Sequence, residues 1–305
     1  MTDSAAVPLL STSDVEAHQA FVDMVAEVRP ELFKYCARMT GSIFDGEDIV
    51  QETLAKAYVA LGTMAEAPPL KPWLFRIAHN AAMDFLKRYE RKHVTLAAEP
   101  PEVADEDESS IDPELVEAAL TRFVALPALQ RSAIALKDVL GHSLAETAAT
   151  MGTSISAVKA ALVRARANLA ASPSPQAGSP AREASAEELR NLQRYAALFN
   201  DRNWEALRRL MSEESQLEVV TRARRRGAAA AEYYTRYAEV AQPEELRAEV
   251  GWVDGRPVLA MFRPASNTVP SYFVLIEWNG DQVAFIRDFR YVPYIADGAP
   301  YTRGS

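Results

Sequence analysis

The chain has 305 residues, of which 49 % are hydrophobic, with one cysteine and a formal net charge of −9. This length predicts two or three domains, and a single cysteine, Cys36, excludes an internal disulfide. No apolar stretch approaches the roughly 20 residues that span a bilayer, and residues 1–14 lack the basic start and apolar core of a signal peptide. We therefore expect a soluble cytoplasmic protein that does not act at a membrane.

The first predicted domain spans residues 14–94 and is entirely helical, with glycine and proline between its helices. Within residues 47–61, four apolar residues would face inward: Val50, Leu54, Ala57 and Leu61. Asp48, Gln51 and Glu52 would lie together on the exposed side. A carboxylate patch on a rigid helix can dock a basic partner helix. Without further context, however, ordinary helix solubility explains this face better.

A basic helix follows at residues 72–92. Its predicted apolar face consists of Leu74, Ile77, Ala78, Ala81 and Phe85, and a second face holds Arg76, Asn80, Met83, Lys87 and Arg91. With Trp73 and His79 nearby, this second face suits single-stranded DNA, because cations follow the backbone and polar or aromatic groups meet exposed bases. A solvated surface helix with a core tryptophan remains the favoured alternative when the helix is considered alone.

Charge is distributed unevenly beyond this helix. Residues 71–92 hold six bases and two acids, whereas residues 99–117 hold nine acids and no base. Residues 95–112, which also contain two prolines, predict a flexible acidic linker. Between residues 147 and 181 the only charges are Lys159, Arg164 and Arg166. Two basic helices therefore flank an acidic connector, a layout that a plain acidic enzyme does not require.

The second helical domain, at residues 113–171, contains a predicted helix-turn-helix. Ser143 and Glu146 form a capping box that starts one helix, Gly152 ends it, and Thr153 or Ser154 caps the next. A stripe at spacings of three and four would be buried: Ile155, Val158, Leu162, Ala165 and Leu169. The residues expected to face DNA are Thr153, Ser154, Ser156 and Lys159. Spacing alone fits a helical hairpin with a solvated basic face equally well.

A Ser/Pro/Ala-rich linker at residues 172–185 precedes an α+β domain at residues 186–294. Helices are expected at 186–200, 203–211 and 228–240. Strands of an antiparallel sheet are expected at 216–220, 246–253, 257–262, 271–278 and 282–292, with Asp254-Gly255 and Asn279-Gly280 as hairpin signals. Residues 295–305 form a tail. Four scattered histidines and one cysteine predict no metal site, and no cofactor is expected.

Taken together, the blocks at 45–58, 71–92 and 126–169 closely resemble the extracytoplasmic-function group of the sigma-70 superfamily. The resemblance covers roughly residues 15–171. It implies two helical domains, sigma region 2 and sigma region 4, that bind core RNA polymerase at its β′ clamp helices and β flap and direct it to promoter DNA. The linker would thread through the polymerase towards the path by which RNA leaves.

The resemblance also implies roles for particular residues. Contacts with core polymerase would come from Asp48, Gln51 and Glu52. Contacts with the −10 element would come from Lys71, Trp73, Arg76, His79, Asn80, Lys87, Arg88 and Arg91, with residues 64–71 receiving a flipped base. Contacts with the −35 element would come from Thr153, Ser154, Ser156, Lys159, Arg164 and Arg166.

The C-terminal domain resembles the SnoaL-like branch of the nuclear-transport-factor-2-like fold, a cone formed by helices and a curved sheet. The resemblance implies regulation in cis through contact between this domain and the sigma domains. The basic run Arg222, Arg224, Arg225 and Arg226 would dock on the acidic linker or on the acidic face of residues 47–52, although a solvated surface is equally compatible. The tail at 291–301 would pack back on the sigma domains.

Two alternatives stay open. The first is a helix-turn-helix regulator that acts without core polymerase, which leaves residues 47–92 unexplained. The second is an isomerase or cyclase fused to a DNA-binding module, in which Asp288, Tyr233, Tyr234 and Trp252 would line a cavity. Acid/base chemistry needs a shifted pKa in a pocket, and the sequence offers no sign of one. We therefore expect a protein that is not an enzyme.

Overall fold

The computed structural model describes residues 20–93 except 65 and 67, together with 122–171, 184–235 and 245–304. The chain divides into two compact units. Among the described residues, 20–93 and 122–171 form the helical unit, and 184–235 and 245–304 form the sheet unit. The predicted acidic linker at 95–112 and the second linker up to residue 183 lie outside the described residues.

Six helices account for most of the described helical unit. They are α1 Arg29–Thr40, α2 Ile43–Leu61, α3 Leu70–His93, α4 Ala128–Ile134, α5 Leu144–Met151 and α6 Ile155–Ala171, and α4 continues directly into a π-helical turn, Ala135–Val139. Local sequence explains several boundaries. Ser42, the N-cap of α2, accepts a hydrogen bond from the Asp45 amide at 3.3 Å, and Gly41 ends α1 in the left-handed conformation.

Apolar faces of these helices form the interior of the unit. Tyr35 and Met39 of α1, Val50 of α2, and Leu74 and Phe75 of α3 are fully buried. A second cluster joins α4, α5 and α6: Leu126, Ala133, Ile134, Ala148, Val158, Ala161, Leu162 and Ala165. Burying a side chain of leucine or phenylalanine size stabilises a fold by roughly 1.5–3 kcal/mol. This packing therefore fixes the helices whose outer faces hold the candidate site.

The described residues of the sheet unit form three α-helices, seven strands and a 3-10 helix, Pro293–Ile295. The helices are α7 Ala186–Asn200, α8 Trp204–Arg209 and α9 Ala228–Ala231. The strands are β1 Met211–Val219, β2 Ala223–Arg226, β3 Arg247–Val253, β4 Arg256–Phe262, β5 Tyr272–Asn279, β6 Gln282–Asp288 and β7 Thr302–Arg303, in the order β2-β1-β6-β5-β4-β3-β7. Leu192, Tyr195 and Phe199 of α7 pack into the same core as residues of the sheet.

The five predicted strands are present, but the prediction of a purely antiparallel sheet was wrong. Strand β1 pairs with β6 in parallel, with Leu217 opposite Ile286, so the sheet is mixed. The hairpin between β3 and β4 is confirmed, and its turn residues Asp254 and Gly255 have φ angles of 51° and 69°. A two-residue turn of type I′ requires positive φ at both positions, which accounts for the Asp-Gly pair.

Three other expectations for this unit need revision. The strand predicted at 282–292 ends at Asp288. The basic run contributes Arg224–Arg226 to strand β2, paired with β1. The helix predicted at 228–240 begins at Ala228, and its residues 236–240 lie outside the described part of the chain.

The C-terminal tail extends the sheet of its own unit. Strand β7 pairs with β3, with Arg303 opposite Gly251. The ring of Tyr301 lies 6.4 Å from that of Phe262 and 6.1 Å from that of Phe273. The residues just before this strand therefore pack on the sheet. Within the described residues, no helix has the length and hydropathy needed to cross a bilayer.

Candidate nucleic-acid interface

The helix-turn-helix is built by reciprocal capping. The Glu146 amide donates to Ser143 Oγ at 3.2 Å, and the Ser143 amide donates to Glu146 Oε2 at 2.8 Å. These hydrogen bonds with Ser143 lower the pKa of Glu146. Gly152 ends α5 with φ 64°, a conformation that favours glycine. Ser154, rather than Thr153, caps α6, because its Oγ accepts from the Ala157 amide at 3.2 Å.

Helix α6 presents most of the residues predicted to contact the −35 element. Thr153, Ser154, Ser156, Lys159, Arg164 and Arg166 are all exposed. The predicted buried stripe is confirmed at Val158, Leu162 and Ala165, but Ile155 is 46 % exposed. That prediction was wrong because Ile155 is the first residue of the helix and extends beyond the core cluster. Arg166 is already engaged, since its guanidinium binds the Asp138 carboxylate at 2.8 and 3.1 Å.

Helix α3 exposes most of the residues predicted to contact the −10 element but buries one of them. Lys71, Arg76, Asn80, Lys87 and Arg88 are exposed, and Trp73 is half-buried. The side chain of Arg91 lies outside the described residues. His79, by contrast, is only 4 % exposed. The prediction that His79 lies near the outward face and contacts the −10 element does not fit this burial, because position 79 follows the buried Ala78 round the helix towards α1 and α4.

A buried hydrogen-bond cluster surrounds His79. Its Nδ1 lies 2.9 Å from Tyr35 Oη and 3.1 Å from Ser132 Oγ, and the two hydroxyls are 2.9 Å apart. Burial, assisted by the charge of Arg76, lowers the pKa of His79 to about 4. Burial also raises the pKa of Tyr35. Neutral histidine therefore joins α3 to α1 and α4, and sequence reasoning missed this cluster because its members lie 44 and 53 residues from His79.

Two further residues predicted to contact DNA also bind protein. Arg76 Nη1 donates to the Ala149 carbonyl of α5 at 2.7 Å. Lys71 Nζ lies 2.7 Å from Glu31, whose other carboxylate oxygen is 3.1 Å from His142 Nε2. These hydrogen bonds outweigh the effect of burial and lower the pKa of Glu31. In this arrangement the basic helix α3 is therefore bonded to the helix-turn-helix within one unit.

The predicted polymerase-binding face of α2 is partly directed inward. Glu47 is fully buried, and Arg29 Nη2 donates to it at 2.6 Å. Gln51 donates to the same carboxylate oxygen at 2.7 Å, so its amide is turned away from the patch expected with Asp48 and Glu52. Asp48 is exposed, and Glu52 lies 2.6 Å from Lys56. The two carboxylates at positions 48 and 52 therefore remain the outward part of this face.

In the sheet unit, three of the four residues considered for acid/base chemistry, Asp288, Tyr233 and Tyr234, form a structural cluster. Asp288 is fully buried and accepts from Arg290 Nε at 2.7 Å and from Tyr233 Oη. The hydroxyls of Tyr195 and Tyr234 are 2.5 Å apart. Trp252 lies opposite Pro257 and Thr302 in the sheet. Because Arg290 and Tyr233 already occupy the Asp288 carboxylate, this arrangement gives no support to a catalytic base.

The geometry defines two helical modules, one a helix-turn-helix and the other a long basic helix. Family models agree: residues 24–92 match "Sigma-70 region 2" and residues 117–169 match "Sigma-70, region 4". The chain belongs to the extracytoplasmic-function group of sigma-70 RNA polymerase sigma factors, a non-enzymatic family.

Individual relatives extend these matches. The chain is 29 % identical over 290 residues to the sigma factor SigG of Mycobacterium tuberculosis, covering 86 % of this chain and 78 % of the relative. It is 33 % identical over 134 residues to the sigma factor NccH of Alcaligenes xylosoxydans xylosoxydans, covering 42 % of this chain and 72 % of the relative.

Among solved structures, the chain is similar to the sigma factor RpoE crystallised with the anti-sigma factor NepR from Bartonella quintana. That match has 27 % identity, a TM-score of 0.39, and coverage of 50 % of this chain and 94 % of the other. A second match is the extracytoplasmic function sigma factor SigJ of Mycobacterium tuberculosis, with 19 % identity, a TM-score of 0.34, and coverage of 88 % and 95 %.

Proposed function

We propose that this sigma factor binds core RNA polymerase through Asp48 and Glu52 of α2, with Gln51 at the edge of that face, and acts in the cytoplasm. Helix α3 would contact the −10 element and α6 the −35 element. The observation that favours this assignment most is that α6, following a capped turn, presents three cations and no acid. Cations placed along a helix supply the phosphate contacts that position a protein on DNA.

The two outward carboxylates of α2 provide the first test. Asp48→Lys combined with Glu52→Lys should weaken binding to purified core polymerase by about tenfold or more, because like charges would then face a basic partner. Binding would be measured by fluorescence anisotropy of the labelled full chain. As a matched control, Asp201→Lys with Glu205→Lys makes the same change in net charge on the sheet unit, where both residues are exposed, and should leave core affinity unchanged.

Run-off transcription separates this proposal from the simpler regulator. The wild-type chain with core polymerase should start transcription at a defined promoter, and the α2 variant should lose that activity in proportion to its lost affinity. Equal core binding by both charge-reversal variants would contradict the assigned face. A specific footprint on duplex DNA by the chain alone would favour a regulator that acts without polymerase.

The sheet unit is proposed to regulate the sigma activity in cis and to have the SnoaL-like cone fold, with domain boundaries at 14–94, 113–171 and 186–294. The similarity to SigG supports a role of the sheet unit together with the sigma domains. It covers 86 % of the chain, which is more than residues 1–184 comprise, so it extends into the sheet unit. The basic run at residues 222–226 gives weaker support for contact with the sigma domains, because several of its arginines already have partners within the sheet unit. Arg224 pairs with Glu218 at 2.9 Å, Arg225 with Glu232 at 3.4 Å, and Arg222 lies over the Tyr291 ring at 4.8 Å.

Deleting residues 185–305 tests regulation directly. Run-off transcription from one promoter should change at least about twofold relative to the full chain, because the folded sheet unit would no longer bias the sigma domains. Circular dichroism of the truncated chain would establish that its helices are retained. Identical transcript yields over a range of core concentrations would reject regulation by this unit and leave the sigma activity itself in place.

A further inference from the structure

Helix α6 exposes two large aliphatic side chains, Ile155 at its first residue, beyond the end of the core cluster, and Val163 on its outer side. Ile155 is 46 % exposed and Val163 is 66 % exposed, while Val158 and Leu162 of the same helix are buried. Single exposed aliphatic residues need no explanation. These two, however, lie on the helix proposed to contact the −35 element, eight residues and therefore about 12 Å apart along its axis.

The surroundings of the pair indicate what covers it. Lys159 is four residues from each of them, so all three side chains lie along one side of the helix. Helix α6 contains no aspartate or glutamate. A basic helix without acids is complementary to a polyanion. The partner of this surface is therefore DNA, with the cations directed to phosphates and the aliphatic groups directed to the floor of the groove.

Several of the polar groups predicted to contact the −35 element already have protein partners. Ser154 Oγ caps the helix and lies 3.0 Å from Ser156 Oγ. Nε and Nη2 of Arg166 both donate to the Asp138 carboxylate. Base recognition through these hydroxyls and this guanidinium requires those contacts to be exchanged. The aliphatic side chains can contact bases without giving up a hydrogen bond.

We propose that Ile155 and Val163 determine promoter specificity by contacting the 5-methyl groups of two thymines in the −35 element. The thymine methyl is the apolar group that base pairs display in the major groove, and small apolar side chains recognise it there. The two contacts fall on different base pairs, because about 12 Å is more than three times the rise per base pair of roughly 3.4 Å. This inference rests on the proposed function, since it assigns a ligand to the same helix.

The size of the effect follows from the transfer of one methyl group. Removing a methyl from water contributes about 0.8 kcal/mol, equivalent to about a fourfold change in affinity. Replacing a recognised thymine by uracil removes only this methyl and leaves base pairing intact. Each contacted thymine should therefore give about a fourfold loss on this substitution.

The test uses holoenzyme formed from the full chain and core polymerase. A −35 element is first enriched from a randomised promoter library, and each thymine in it is then replaced singly by uracil. The wild-type holoenzyme should lose about fourfold in promoter affinity at two positions. Ile155→Ala should lose sensitivity at one of them and keep it at the other, and Val163→Ala should show the reverse. Each variant is thus the matched control for the other.

Additional variants guard against indirect effects. Leu129→Ala removes an exposed aliphatic residue on α4, 54 % exposed, and should keep both sensitivities. Val163→Thr keeps the shape of the side chain and replaces one of its methyl groups by a hydroxyl, so a folded protein with reduced sensitivity supports the proposal even if an alanine variant is unstable. The inference would be overturned, with the proposed function left in place, if both alanine variants kept the full uracil sensitivity. It would also be overturned if the wild-type holoenzyme initiated accurately but showed no uracil sensitivity. Absence of any promoter-directed initiation by wild-type holoenzyme would overturn the proposed function as well.

Discussion

Arg131→Met is expected to lower the free energy of unfolding of the helical unit by about 3 kcal/mol, because a charged donor to several buried carbonyls is lost. Arg131 is 7 % exposed. Its guanidinium donates to the Met39 carbonyl of α1 at 2.5 Å, to the Leu126 carbonyl at 3.0 Å, and to the Val124 carbonyl. Methionine fills a similar volume but donates no hydrogen bond, so these carbonyls would be buried without that partner.

Chemical denaturation followed by far-ultraviolet circular dichroism would measure this loss. Arg88→Met is the matched control, because the exposed Arg88 donates to the Asp84 carbonyl within its own helix at 3.3 Å and joins no second element through that bond. The control should change stability by less than about 0.5 kcal/mol, as surface substitutions usually do. Equal losses in the two variants would show that the carbonyl contacts of Arg131 do not hold α4 to α1.

The second large effect is a loss of stability as the pH falls. In the unfolded chain His79 takes up a proton near its ordinary pKa of 6.5, whereas in the folded chain its pKa is lowered to about 4. Between these values the unfolded state binds more protons, so stability decreases as the pH falls through this window. A difference of this size corresponds to an upper limit of roughly 3 kcal/mol, because one pKa unit is equivalent to about 1.4 kcal/mol.

Unfolding midpoints measured across this window should therefore decrease for the wild-type chain. His79→Gln cannot titrate there, and its stability should depend less steeply on pH. Glu31 contributes in the same direction, but its pKa is lowered from 4.5, so it acts below that value. Parallel pH profiles for the wild-type and His79→Gln proteins above pH 4.5 would contradict the burial of neutral His79.

Local sequence signals predicted much of this structure. The capping box of Ser143 and Glu146 and the glycine at position 152 placed α5 correctly, because each depends on neighbouring residues alone. The Asp254-Gly255 turn did the same for one hairpin. The parallel pairing of β1 with β6 was missed, since residues about 70 apart form it and no local pattern encodes their partner.

Errors at the candidate site have the same physical origin. The resemblance assigned His79 to the −10 contacts near Arg76, yet His79 is buried and hydrogen-bonded to Tyr35 and Ser132, which are distant in sequence. Helical spacing assigned Ile155 to the core, although a first-turn residue can extend past the helix it packs against. Periodicity identified the helices that hold the candidate site. It did not identify which polar groups already have protein partners.

The hydrogen bond from Arg76 to the Ala149 carbonyl has a consequence for affinity. Molecules in this arrangement can offer the Arg76 guanidinium to DNA only after that bond has been exchanged, so the apparent dissociation constant for free promoter is the intrinsic one divided by the competent fraction. Every 1.4 kcal/mol or so by which the bonded form is favoured reduces that fraction about tenfold. A binding partner that favours the form in which α3 and the helix-turn-helix are separated would raise the affinity for promoter DNA without contacting a base.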